Sequence, residues 1–239
     1  MLRTAFFAAT FGPWTLLIIL AVLAAAPLGP DLLHRLGRLW SRGGLFLAGV
    51  RLEVEGTEHL PREEAVVLMA NHQSNFDVLA LMVAVPLSYR WLAKKELFGI
   101  PLFGWAMRRA GCVSIDRRNR EAAIASMQQA ADRAARGESV IVFPEGTRSP
   151  DGRVLPFKKG GFMLAIESGA PIVAIAVAGG ERIMPKYARR IRRGTMRVRI
   201  LPPLWTAGLD FADRDDLMER VRHRLEGALK EERDKLDRI

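Results

Sequence analysis

Ala65-Val66-Val67-Leu68-Met69-Ala70-Asn71-His72-Gln73-Ser74-Asn75-Phe76-Asp77-Val78-Leu79-Ala80-Leu81-Met82-Val83 is the stretch from which the fold can be read. Residues 65–70 form an apolar run with the length and β-branched content of a buried strand. Residues 78–83 are apolar on every side, as a fully buried helix is. A histidine and an aspartate therefore sit in the turn between a strand end and a helix start. Loops held by rigid elements are where catalytic groups tend to be placed.

The pair has a plain chemical use. A histidine can take a proton from a hydroxyl near neutral pH. A carboxylate bonded to its second ring nitrogen fixes the tautomer and stabilises the imidazolium that forms. Residues five apart on one helix lie about 140° apart around the axis and roughly 7.5 Å apart along it. A His72–Asp77 contact thus requires His72 to lie outside the helix, folded back over its first turn. Ser74 and Asn75 are good N-cap types and would start the helix there. The spacing alone fits better an Asn-His loop followed by a first-turn acid favoured by the helix dipole.

Working outward, strand and helix patterns alternate over residues 50–201. Residues 51–55 alternate like an edge strand with one wet face, and residues 89–93 read as a short strand ending at Lys94-Lys95. Residues 97–107 are apolar but broken by Gly99, Pro101 and Gly104, which suits an amphipathic helix or two short turns that wall an apolar groove, dip into a membrane or pack on a core. Residues 112–115, 139–143, 171–177 and 195–201 read as further strands, with helices over 121–135 and 159–168 ended by Gly137 and Gly169. Such alternation predicts an α/β fold, with a mixed, largely parallel sheet flanked by helices. His72, Lys94, Arg117 and Glu145 all follow predicted strands, where ligands of such sheets bind.

Two blocks then carry a resemblance. Asn71-His72-Gln73-Ser74-Asn75-Phe76-Asp77 and Phe143-Pro144-Glu145-Gly146-Thr147-Arg148-Ser149, about 70 residues apart, resemble signature blocks of the glycerolipid acyltransferases, the lysophosphatidic acid acyltransferase family. Lys94-Lys95-Glu96-Leu97 through Gly111-Cys112-Val113-Ser114-Ile115-Asp116-Arg117 is similar to a third. Ala170-Pro171-Ile172-Val173-Ala174-Ile175-Ala176-Val177 is similar to a fourth, with Ala174 where that family often has proline. The resemblance implies transfer of a fatty acyl group from an acyl thioester (acyl-CoA or acyl-carrier protein) to the sn-2 hydroxyl of 1-acylglycerol 3-phosphate. It implies His72 as general base and Asp77 as its orienting carboxylate. Arg148, Arg117 and Lys94 are implied for the acceptor phosphate, with Gly146 and Thr147 beside them. Glu145 is implied either on the acceptor's glycerol hydroxyl or as a lock on Arg148. Backbone N–H groups near residues 71–74 are candidate oxyanion donors. No metal or redox cofactor is implied. Another lysophospholipid or a lyso-ornithine lipid as acceptor, and a non-catalytic membrane-binding relative, are the alternatives.

Charge and cysteine content narrow the partners. A net charge of +10 points to a polyanion, and no RNP-like, zinc-finger or KH pattern favours nucleic acid over an anionic membrane surface. Cys112 is the single cysteine, so no internal disulfide forms, which suits a reducing compartment. Histidines 34, 59, 72 and 223 make no metal-ligand cluster.

Residues 4–30 carry no charged side chain, and roughly 20 apolar residues suffice to span a bilayer. A spanning helix kinked near Gly12-Pro13, a re-entrant segment and a signal peptide are the three readings. Arg35, Arg38 and Arg42 interleave with leucines at helical spacing, as in a basic amphipathic helix at an anionic surface. By the positive-inside rule the downstream domain faces the cytoplasm, placing the protein on the cytoplasmic face of a cell membrane, with the bacterial inner membrane as the expected one. Residues 182–209 hold eight basic residues and no acidic one, a patch for lipid headgroups or an acidic carrier. The expected division is a membrane-associating segment over 1–48, a catalytic domain over 49–210 and a charged amphipathic helix over 211–239.

Overall fold

A computed structural model describes residues 2–238. Seven strands form one sheet: β1 (Val50–Glu55), β2 (Val67–Ala70), β3 (Tyr89–Lys94), β4 (Val113–Ile115), β5 (Ser139–Val142), β6 (Ile172–Ala178) and β7 (Gly194–Ile200), in the order β1-β7-β6-β2-β5-β3-β4. The five strands from β6 to β4 are all parallel. β7 runs antiparallel to β6 and carries β1 parallel to itself at the edge. The sheet is mixed and largely parallel, as its strand–helix alternation predicts.

Both faces are covered, which is why the central strands are apolar at every position rather than at alternate ones. Val67 and Met69 face a core built with α5 (Arg120–Ala135), α6 (Gly160–Ser168) and α8 (Arg214–Asp237). Val66, Leu68 and Ala70 face the other core, built with α2 (Pro30–Ala48) and α3 (Phe76–Ala84). α8 contributes Leu217, Val221, Leu225 and Leu229 to the first core, so the charged C-terminal helix is a layer of the α/β sandwich. The apolar, interrupted segment after β3 folds as a short 3-10 turn, Lys95–Gly99, and α4 (Phe103–Arg109).

α1 (Leu2–Ala25) runs through Pro13 as one helix and lies along α2. Arg3 Nη1 donates to the Ala48 carbonyl at 3.0 Å, Trp14 Nε1 to the Trp40 carbonyl at 3.1 Å, and Trp40 Nε1 to Thr15 Oγ1 at 2.9 Å. The Ile191 N–H donates to Thr4 Oγ1 at 3.1 Å. Ile18 and Val22 are buried against Leu33, while Leu2, Phe6, Leu16, Leu17 and Leu20 are exposed. The helix presents an apolar face outward and uses the other for packing, and it is long and apolar enough to cross a membrane.

Candidate active site

The parallel block brings four strand ends to one rim. His72 follows β2, Lys94 ends β3, Arg117 follows β4 and Glu145 follows β5. Loop residues beyond the carboxyl ends of parallel strands are the usual ligand-binding position of such sheets.

The turn over residues 71–77 is fixed from several sides. Asn71 Nδ2 donates to the Val177 carbonyl at 2.9 Å and its Oδ1 accepts from the Val177 N–H at 2.7 Å, which clamps the end of β2 to β6. Gln73 Nε2 also donates to the Val177 carbonyl. Ser74 Oγ donates to the Met184 carbonyl and accepts from the Phe76 N–H, so it supplies part of the capping expected of it. The chain thereby leaves His72 outside the helix, and its ring folds back onto the first turn of α3. His72 Nδ1 lies 2.9 Å from Asp77 Oδ2. The ring stacks on Phe143, 3.8 Å between centroids at 9°. With Nδ1 turned to the carboxylate and one face stacked on Phe143, Nε2 is the nitrogen left for a substrate.

Asp77 is fully buried. Its Oδ2 accepts three hydrogen bonds: from His72 Nδ1, from the Gln73 N–H at 2.6 Å and from the Ser74 N–H at 2.7 Å. Gly180 makes this approach possible, because a Cβ there would overlap the Asp77 carboxylate. Glu145 is also buried, and its oxygens are both engaged: Oε1 accepts from the His72 N–H at 2.7 Å and Oε2 from the Leu155 N–H at 3.1 Å. Burial pushes its carboxyl up to about 7, against the pull of those two N–H groups and with a further push from Asp77.

Two expectations change here. Glu145 neither faces an acceptor hydroxyl nor pairs with Arg148; it ties the His72 loop to the segment after residue 150. The N–H groups of His72, Gln73 and Ser74 are not oxyanion donors, since all three are spent on buried carboxylates. Both misreadings have one cause: nothing in the spacing says which polar groups point inward.

The remaining expected residues meet at one cavity of about 550 Å³, lined by His72 together with Lys94, Arg117, Thr147 and Arg148. Arg148 makes no ion pair among the described residues. Arg117 donates to the Gly146 carbonyl, joining two of the motif blocks, and Lys94 pairs with Glu96 at 3.2 Å on the surface. Gly146 adopts a left-handed φ of 70°, which sets the turn that presents Thr147 and Arg148. Lys186, from the loop before β7, reaches the same rim; the sequence shows it only as part of a basic run. Away from the rim the wall is apolar, with Val78, Met82, Trp91, Ile18 and Val22.

The site thus joins a histidine–carboxylate pair, a cationic rim and an apolar wall. The acyltransferase family model matches residues 51–178. The chain belongs to the acyltransferase family. It is 37% identical over 218 residues to the human 1-acyl-sn-glycerol-3-phosphate acyltransferase alpha, covering 90% of this chain and 77% of that protein. It is likewise 37% identical over 197 residues to the 1-acyl-sn-glycerol-3-phosphate acyltransferase of Limnanthes alba, covering 80% and 69%. The crystal structure of the 1-acyl-sn-glycerophosphate acyltransferase of Thermotoga maritima superposes with a TM-score of 0.84 at 26% identity, over 97% of this chain and 95% of that one. In this acyltransferase, then, three of the four motif blocks meet at one cavity, while residues 170–177 form the buried strand β6.

Proposed function

We propose that this acyltransferase moves a fatty acyl group from an acyl thioester to the sn-2 hydroxyl of 1-acylglycerol 3-phosphate, giving phosphatidic acid. The observation that carries this reading is the His72–Asp77 pair at 2.9 Å, opening on an apolar cavity whose rim holds the unpaired Arg148. His72 Nε2 takes the proton of the acceptor hydroxyl as its oxygen attacks the thioester carbonyl. Asp77 stabilises the imidazolium, which returns the proton to the thiolate when the carbon–sulfur bond breaks. The N–H groups of Thr147 and Arg148 donate to no group among the described residues, which supports them as oxyanion donors. Arg148, with Arg117, Lys94 and Lys186, holds the acceptor's phosphate, Arg148 offering a two-pronged fork. The cavity takes the donor's acyl chain. A thioester is an activated donor, so the reaction needs no metal or redox cofactor. The outward apolar face of α1 supports docking on a membrane, and the net charge of +10 supports an anionic one.

Thiol release from acyl-CoA and acyl-carrier protein, with and without 1-acylglycerol 3-phosphate, tests the reading. His72→Ala should abolish acceptor-dependent release, and Arg148→Ala should raise the acceptor KM at least tenfold with the donor KM little changed. Wild-type turnover by His72→Ala, or an unaltered acceptor KM in Arg148→Ala, refutes the assignments.

A further inference from the structure

The apolar segment after β3 reaches the cavity only in part. Leu97 and Phe103 line it, but Gly99-Ile100-Pro101-Leu102 between them is exposed, with Ile100 at 46% and Leu102 at 47%. A single exposed leucine on a surface needs no explanation. An uncharged, exposed tip carrying two large aliphatic side chains does.

The backbone of the tip is strained. Leu102 has φ 60° and ψ −48°, and the Phe103 N–H donates to the Pro101 carbonyl at 2.6 Å, which makes a γ-turn of the rarer hand. Leu102 is the only residue other than glycine with positive φ among the described residues, and glycine would adopt this conformation without strain. Half of the leucine side chain is left outside the protein, so contacts within the chain offset only part of that strain.

The tip also leaves few backbone groups free. The Ile100 N–H donates to the Leu97 carbonyl at 3.3 Å, and Pro101 has no N–H. The carbonyls of Ile100, Pro101 and Leu102 accept from Gly104, Phe103 and Ala106. A turn facing water does not need this economy. A turn entering hydrocarbon does, because an unpaired N–H or C=O is costly there.

Its place in the fold says which surface it meets. The outer wall of the cavity is shared between Ile18, Ile19 and Val22 of α1 and Leu97, Phe103 and Met107 of this segment. Trp105 and Ala106 pack on the side of α1 that buries Ile18 and Val22, while Leu16, Leu17 and Leu20 of the same helix turns are exposed. The tip is thus continuous with the outward apolar face of α1. Arg108 and Arg109 close the segment. The first donates to the Phe98 carbonyl at 2.9 Å, the second lies over the Trp105 ring, and neither pairs with an acid among the described residues. An apolar tip bordered by free cations fits an anionic bilayer.

We propose that residues 99–102 insert into an anionic bilayer as a second contact beside α1, seating the outer wall of the cavity at lipid depth. The inference rests on the reading of α1 as a membrane-docking helix.

The experiment uses the full-length protein carrying Cys112→Ser and Ile100→Cys, labelled at position 100 with an environment-sensitive fluorophore and mixed with vesicles of phosphatidylcholine and phosphatidylglycerol. Emission should move to shorter wavelength and be quenched when the lipids carry brominated acyl chains. The same label at Glu219→Cys, exposed on α8 across the sheet, should do neither. Leu102→Asn keeps a residue type that tolerates positive φ; its Tm should match wild type and its vesicle partition coefficient should fall about tenfold. A label at position 100 that stays in water while the protein sediments with the vesicles overturns the proposal, whether or not Leu102→Asn folds. So does equal quenching at both labelled positions, or undiminished partition of a folded Leu102→Asn. A shift that appears on concentrating the protein without lipid also overturns it, since a second copy would then cover the tip. If the protein does not sediment with vesicles at all, the docking reading of α1 fails and this inference falls with it.

Discussion

Replacing Asp77 by asparagine separates two jobs that one carboxylate performs. Oδ2 accepts from His72 Nδ1, Gln73 N and Ser74 N, while Oδ1 has no partner and faces Gly180. An asparagine keeps its oxygen among the three donors and turns its amide toward the side that already lacks a partner. His72 therefore keeps its tautomer and its place, and only the negative charge is lost. At about 4 Å between charge centres and an effective dielectric of about 20, a carboxylate stabilises the imidazolium by roughly 4 kcal/mol. Divided by ~1.36 kcal/mol per factor of ten, that is about a thousandfold in kcat. Fold stability should change little, because one unpartnered polar atom replaces another; a loss of about 1 kcal/mol would lower Tm by roughly 2–4 °C in a chain of this size. Asp77→Ala removes the acceptor as well. It leaves two buried N–H groups unpaired, at about 1–3 kcal/mol each, and should damage stability and activity together. Thiol release and thermal melts on both variants check this. Asp77→Asn within tenfold of wild-type kcat would mean that the charge does not support the transition state, and the assignment of Asp77 would be wrong.

Two further expectations come from the surroundings of the pair. Glu145 holds its proton up to about 7, against an ordinary value of 4.5. The fold therefore binds that proton more readily than the unfolded chain does, so this contribution to stability is present below about pH 4.5 and is lost as pH rises through about 7. Wild-type Tm should fall relative to Glu145→Gln across that interval, and parallel melting profiles would contradict the burial of a titrating carboxyl. Gly37 lines the cavity, and a Cβ there would come within 2.7 Å of the Met82 methyl, a flexible group that must then move into the channel. Gly37→Ala should lower kcat/KM for long-chain donors by about tenfold relative to short ones; equal losses at all lengths would place the acyl chain elsewhere.

The parts of the fold that depend on local pattern are legible in the sequence. Apolar runs of strand length, ended by polar or glycine-rich turns, predict the parallel block and put His72, Lys94, Arg117 and Glu145 at its carboxyl rim. The five-residue interval between His72 and Asp77 even states the condition for their contact, a fold-back over the first helical turn, and the structure meets it. What is illegible is set by contacts distant in the chain. Asn71 and Gln73 clamp to Val177, more than a hundred residues away, and nothing near residue 71 announces that. Glu145 looks like a ligand because an acid between a strand and an arginine reads the same whether it points out or in. His34 reads as one polar residue on an amphipathic helix, and only packing turns its Nε2 into a buried, unpaired atom.

The same reasoning bears on the N-terminal helices, which a hydropathy profile sets apart from the enzyme. Ile18 and Val22 of α1 and Leu33, Gly37 and Trp40 of α2 line the cavity, while Leu16, Leu17 and Leu20 on the opposite side of α1 are exposed. One helix thus supplies the outer wall of the acyl channel and the apolar face suited to lipid. On the proposed reading, selection of the chain and attachment to the membrane both fall to this single element. A truncated protein lacking it would lose the channel along with the anchor.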